Sequence, residues 1–115
     1  MYALTGIALA DSFISAWNVK YRVQLVRPVT YINAYIDPKW KPIINTPPFP
    51  EYPSGHSVVS GAAAVVLTHL FGEVAFSDLT HLGRMLPPRS FDSFDQAAEE
   101  AALSCLWWHS LPREH

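Results

Sequence analysis

Lys20 and Arg27 stand seven residues apart, close to two helical turns, so on one continuous helix both cations project from nearly one face toward one anion. Taken alone, they read equally well as two solvated charges at a helix end. Pro53-Ser54-Gly55-His56 adds what two cations lack: a hydroxyl, an uncrowded glycine amide and an imidazole, placed where a helix is expected to begin. A helix N-terminus offers unbonded N–H groups and the positive end of the helix dipole, and both suit an oxyanion. By itself the tetrapeptide is also a serine N-cap followed by an exposed histidine. Together these groups can hold a phosphate-like anion.

The elements that must position these groups follow from periodicity and punctuation. From Tyr2 to about Leu25 the apolar residues Leu4, Ile7, Ala8, Phe13, Ala16, Trp17, Tyr21 and Leu25 recur mostly at steps of three and four, which predicts one long amphipathic helix stopped by Pro28. A short helix is expected over 29–36, and Asp37-Pro38 then suggests an N-cap with proline at the first helical position. The stretch 41–54 holds five prolines and must be an extended, stiff loop. A helix over 55–71 follows, with small residues from Gly61 to Ala64 for close packing and Gly72 as its stop. Residues 73–89 read as irregular, and Ser93-Phe-Asp-Gln96 fits a capping box that opens a last helix near Phe94. No strand pair is expected; the fold class is all-α.

Bulk properties bound the function. The chain has 115 residues, half of them apolar, and a net charge of -2, which argues against a nucleic-acid surface or a polybasic membrane surface. Any anion must therefore be held locally. One cysteine, Cys105, excludes an internal disulfide and a cysteine-based zinc cage. His69, His81 and His115 show no pairing with carboxylates at metal-ligand spacing. The apolar opening lacks a basic leader, and the longest apolar run is short of the ~20 residues that cross a bilayer, so the chain reads as soluble.

The order Lys20, Arg27-Pro28, a proline-rich loop and Pro53-Ser54-Gly55-His56 resembles the first two signature motifs of the vanadium haloperoxidase and type 2 phosphatidic-acid phosphatase superfamily. The wording around them, Pro47-Pro-Phe-Pro-Glu-Tyr-Pro-Ser-Gly-His-Ser57, is most similar to bacterial haloperoxidase-type members. The resemblance implies a helical bundle in which Lys20, Arg27, Ser54 and the Gly55 amide bind vanadate or phosphate, with His56 as general acid or base. With vanadate as cofactor, such a site uses peroxide to oxidise halide; with phosphate it hydrolyses an ester through a phosphohistidine. The implied partners are small molecules, halide and peroxide or a phosphate ester. Oligomeric state and compartment are left open, a periplasmic or secreted parent being compatible with the resemblance.

The family's third motif, Ser-Arg and then a histidine that bonds the vanadium, departs here. Cys105 follows Ser104, the histidine position falls on Leu111, and His109 lies two positions early, so no residue bonds the metal directly. Trp107-Trp108-His109 must be encoded TGG TGG CAY, and a frame one base later spells Gly-Gly, the family's glycine pair. Residues 104–115 are therefore expected to be an aberrant tail on a single, incomplete domain that is truncated relative to a longer parent.

Overall fold

The computed structural model describes the backbone of residues 1–110 and the side-chain environments of residues 1–103. Helix α1 spans Tyr2–Val23, α2 Pro28–Tyr35, α3 Gly55–Phe71 and α4 Phe94–Ser110. α3 lies in the middle, packing against α1 and against α4, while the proline-rich loop is tied to the end of α1 and the segment after it through Lys20, Leu25 and Arg27. The fold is predominantly helical, as the sequence predicts, with a short antiparallel pair, β1 Phe76–Asp78 and β2 Arg89–Phe91, set between α3 and α4.

Local chemistry explains the helix ends. Ser54 caps α3, its Oγ accepting from the Ser57 amide at 3.3 Å and from the Ser57 hydroxyl at 2.9 Å. Gly72 ends the helix at φ 78°, a conformation that a side chain would strain. At the start of α4 the Gln96 amide donates to Ser93 Oγ at 3.1 Å, half of the expected capping box. The other half differs: the Gln96 side chain accepts from the Asp92 amide, one residue before the cap.

Three expectations need correction. Helix α1 ends at Val23, because Gln24 turns into the left-handed region at φ 50° while its amide still bonds the Lys20 carbonyl. Arg27 consequently lies off that helix, as the extended N-cap of α2. No helix follows Asp37: its carboxylate accepts from the Lys39 amide and its carbonyl from Trp40, which makes an isolated turn that Pro42 keeps from continuing. The 73–89 segment does form a strand pair, in the register Phe76 to Phe91, Ser77 to Ser90 and Asp78 to Arg89. Aromatic packing holds it, with Phe76 5.4 Å from Phe91 and 5.2 Å from Phe94, ring centre to ring centre.

Few side chains are fully enclosed. Among the described residues only Ala16, Ala64, Phe91 and Lys20 are buried, while Leu4, Ile7, Ile14, Tyr21, Val65 and Phe71 stand exposed on the helices. The radius of gyration is 17.1 Å, against ~13 Å for a compact chain of this length. A single layer of helices offers each one at most two neighbours, so a face of every helix remains uncovered. No helix among the described residues is long and apolar enough to cross a membrane.

Candidate oxyanion site

Among the described residues the most buried side chain is a cation. Lys20 keeps 1% of its surface accessible and donates to the carbonyls of Pro50 at 3.0 Å and Glu51 at 3.1 Å. Arg27 reaches the same strip of loop from the other side. Its Nε donates to the Phe49 carbonyl at 2.8 Å, Nη2 to the Pro50 carbonyl at 3.4 Å, and Nη1 to Glu51 Oε2 at 2.7 Å. The two cations thus share one acceptor, the Pro50 oxygen, although the Gln24 turn separates them along the chain. The loop is tied down independently, because the Glu51 amide donates to the Leu25 carbonyl at 3.0 Å.

Aromatic rings form the walls. Phe13 stacks on Trp17 at 3.8 Å, Phe49 lies tilted to Trp17 at 5.2 Å, and Lys20 Nζ and the Arg27 guanidinium each lie 5.1 Å from the Phe49 ring centre. Lys20 also lies 5.6 Å from the Trp17 ring centre. Burial pushes the Lys20 pKa down, the neighbouring Arg27 charge pushes it further, and the Glu51 carboxylate partly restores it. An anion placed beside the two cations would offset both effects.

Trp17 connects the cations to the start of α3. A side-chain carbon added at Gly55 meets the Trp17 ring at 3.1 and 3.3 Å, so glycine is what lets the helix terminus approach this wall. The Gly55 and His56 amides open α3 and have no acceptor among the described residues. Of the residues singled out in the sequence, Lys20 and Arg27 therefore meet on the loop, and Gly55 packs beside them through Trp17. Ser54 spends its oxygen on the helix cap, and His56 is exposed at the rim. Cys105 and His109 lie where side chains are not described, and Leu111 lies outside the described residues altogether. Sequence reasoning missed Trp17, Phe49 and Glu51 as site residues. The available signal was Trp17 standing one helical turn before Lys20.

We expect Gly55→Ala to lower stability by about 1 kcal/mol in chemical denaturation. Overpacking against the Trp17 ring, which is in contact with Phe13 and Phe49, costs about 1–3 kcal/mol, whereas the helix-propensity gain of alanine is at most ~1 kcal/mol and smaller in the first turn.

A family model, the VCPO second helical-bundle domain, matches residues 1–109. The chain belongs to that family, within the vanadium haloperoxidase superfamily. Vanadium chloroperoxidase from Curvularia inaequalis is 34% identical over 77 residues, a match covering 54% of this chain and 13% of that protein. The crystal structure of the first bacterial vanadium-dependent iodoperoxidase superposes with a TM-score of 0.82 at 58% identity, over 92% of this chain and 26% of that one. The haloperoxidase-type chain thus spans about an eighth to a quarter of the relatives it matches.

Proposed function

We propose that this chain forms the cationic and helix-terminal part of a vanadate-binding haloperoxidase site, and that its capacity for turnover is impaired. The observation that carries this reading is the convergence of a buried Lys20 and a partly buried Arg27 on one strip of loop beside the open N-terminus of α3. The donor set suits the group: two cations, and amide N–H groups without acceptors, match the chemistry of a tetrahedral oxyanion. Lys20, Arg27, Ser54, the Gly55 amide and His56 are the residues that would hold vanadate, which when bound supplies a Lewis-acidic centre for peroxide and halide chemistry. Lys20 and Arg27, held in place by the loop carbonyls, would neutralise charge on its oxygens. His56, exposed at the helix start, exchanges protons with solvent at the rim.

Both named relatives are haloperoxidases, which favours halide oxidation over phosphate-ester hydrolysis for the parent reaction. Cys105 and Leu111 stand where that chemistry calls for Arg and His, which supports impaired turnover. The uncovered apolar helix faces support an incomplete domain whose remaining helices belong to a longer parent.

The decisive experiment is calorimetric titration of the chain with orthovanadate, run beside bromination of monochlorodimedone with peroxide and hydrolysis of p-nitrophenyl phosphate in metal-free buffer. Binding that disappears in Lys20→Ala, with bromination far below that of a complete haloperoxidase, is the expected result. Absence of any vanadate heat from wild type and Glu51→Gln alike refutes the reading, and efficient phosphate-ester hydrolysis reassigns it to a phosphatase. Resequencing the coding DNA from the Ser104 codon onward tests the frame: an extra or missing base that restores the third motif identifies a complete parent enzyme.

A further inference from the structure

Arg27, one of the two cations assigned to the oxyanion, already holds an anion of the chain's own. Arg27 Nη1 lies 2.7 Å from Glu51 Oε2, and both side chains are largely withdrawn from solvent, at 17% and 27% accessible. Its other two nitrogens rest on the neutral carbonyls of Phe49 and Pro50, so the carboxylate is the charged partner that the structure gives Arg27. The same charge is felt by Lys20, whose proton it helps to retain. Two positive charges and one negative leave a local charge of about +1, half of what an incoming anion would meet without Glu51.

Backbone and side chain of Glu51 do separate jobs. The amide is fixed to the Leu25 carbonyl and the carbonyl to Lys20 Nζ, so the loop is pinned through its main chain. The Lys20 contact is thus made by the Glu51 main chain and the Arg27 contact by its carboxylate, so a change at the carboxylate leaves the Lys20 acceptor in place. Glu51 also stands three residues before Ser54, on the strip that leads directly into the open helix amides.

We infer that Glu51 is a built-in counter-anion of this site, competing with phosphate or vanadate for Arg27 and thereby setting the affinity for the oxyanion. The inference rests on the proposed oxyanion reading and adds a determinant to it. A residue that merely oriented Arg27 makes the opposite prediction, because removing its charge would loosen the guanidinium and weaken anion binding.

The test is calorimetric titration of the full chain with inorganic phosphate and, separately, with orthovanadate, comparing wild type, Glu51→Gln and Glu51→Ala, each checked for folding by circular dichroism. Glutamine keeps an acceptor of the same shape and removes the charge. Removing one like charge from a partly buried site is expected to tighten both anions by about tenfold. Glu51→Ala should tighten them too, and it serves as the second variant if the glutamine form folds poorly. Tightening in either variant, or binding that appears in a variant when wild type is silent, supports the inference. Affinity that is unchanged or weaker, or silence from every form, overturns it. Lys20→Ala separates the two levels: if wild-type binding persists in that variant, the anion sits elsewhere and the functional reading itself fails, whatever Glu51 does.

Discussion

Replacing Lys20 with methionine should abolish measurable vanadate or phosphate binding, a loss of about 100-fold or more, and lower stability by about 2 kcal/mol. Methionine keeps the apolar stem beside Trp17 and Phe49 but removes the Lys20 donor from the Glu51 carbonyl and leaves the Pro50 carbonyl only its longer bond from Arg27. Orphaned acceptors cost about 1–3 kcal/mol each, and relief from burying an ammonium offsets part of that. Calorimetry reads the first effect and urea denaturation the second. Unchanged anion affinity would remove Lys20 from the site. A further signature separates the charge from the packing. Burial and Arg27 hold the Lys20 pKa below the ordinary lysine value in the folded chain. Between that lowered value and the ordinary one, the unfolded chain binds a proton that the folded chain has shed, so this group makes stability rise with pH through that window. Denaturation midpoints measured as pH approaches the ordinary lysine value from below should show that rise for wild type relative to Lys20→Met, which lacks the group.

Arg27→Ala should lower anion affinity by about 100-fold, with a smaller stability cost of about 1–2 kcal/mol. The energetic asymmetry follows from exposure: a pair that water still reaches contributes little to folding. The site, however, loses one of its two cations and retains Glu51, whose carboxylate then repels the ligand. Arg27→Lys should recover less than about a tenth of the lost affinity, because a single ammonium cannot face the Phe49 carbonyl, the Pro50 carbonyl and the Glu51 carboxylate as the planar fork does. Full recovery in the lysine variant would show that charge alone matters at this position. Combining Arg27→Ala with Glu51→Gln should restore part of the binding, since the two contacts share one guanidinium and their effects cannot simply add.

The exposed faces of α1 and α3 bear on how such measurements are made. Leu4, Ile7, Ile14 and Val65 are open to solvent, and each leucine, isoleucine or valine side chain left uncovered forgoes about 1.5–3 kcal/mol of burial. Marginal folding of the isolated chain is the expected consequence, and tightly bound oxyanion should raise its melting temperature by mass action.

Helix α3 was legible in the residues themselves. Gly55 as its first residue and Gly72 as its stop appear in the structure as the sequence predicts, Ser54 caps it as the alternative reading of that tetrapeptide allowed, and Ser93 opens α4 as expected. Such signals act within one helical turn, between a side chain and a backbone group no more than four residues away, so reading them requires no knowledge of the rest of the chain. The superfamily was legible for a related reason, since its motifs are short local words.

What the tertiary structure alone decided is how those words meet. The spacing of Lys20 and Arg27 suggested one helical face, yet the helix ends between them, and their convergence comes from a loop 22 to 31 residues further along the chain. The 76–78 and 89–91 strands were invisible for the same reason: three residues carry almost no periodicity, and their pairing depends on Phe76 meeting Phe91 and Phe94 after the chain has turned. Glu51 gave no sign of its role, because a carboxylate in a proline-rich loop is indistinguishable from a solvated one until a guanidinium is brought against it. Capping and turn formation are settled by neighbours in sequence, whereas pairing a buried charge with its counter-charge is settled only by which distant segments the packed chain places together.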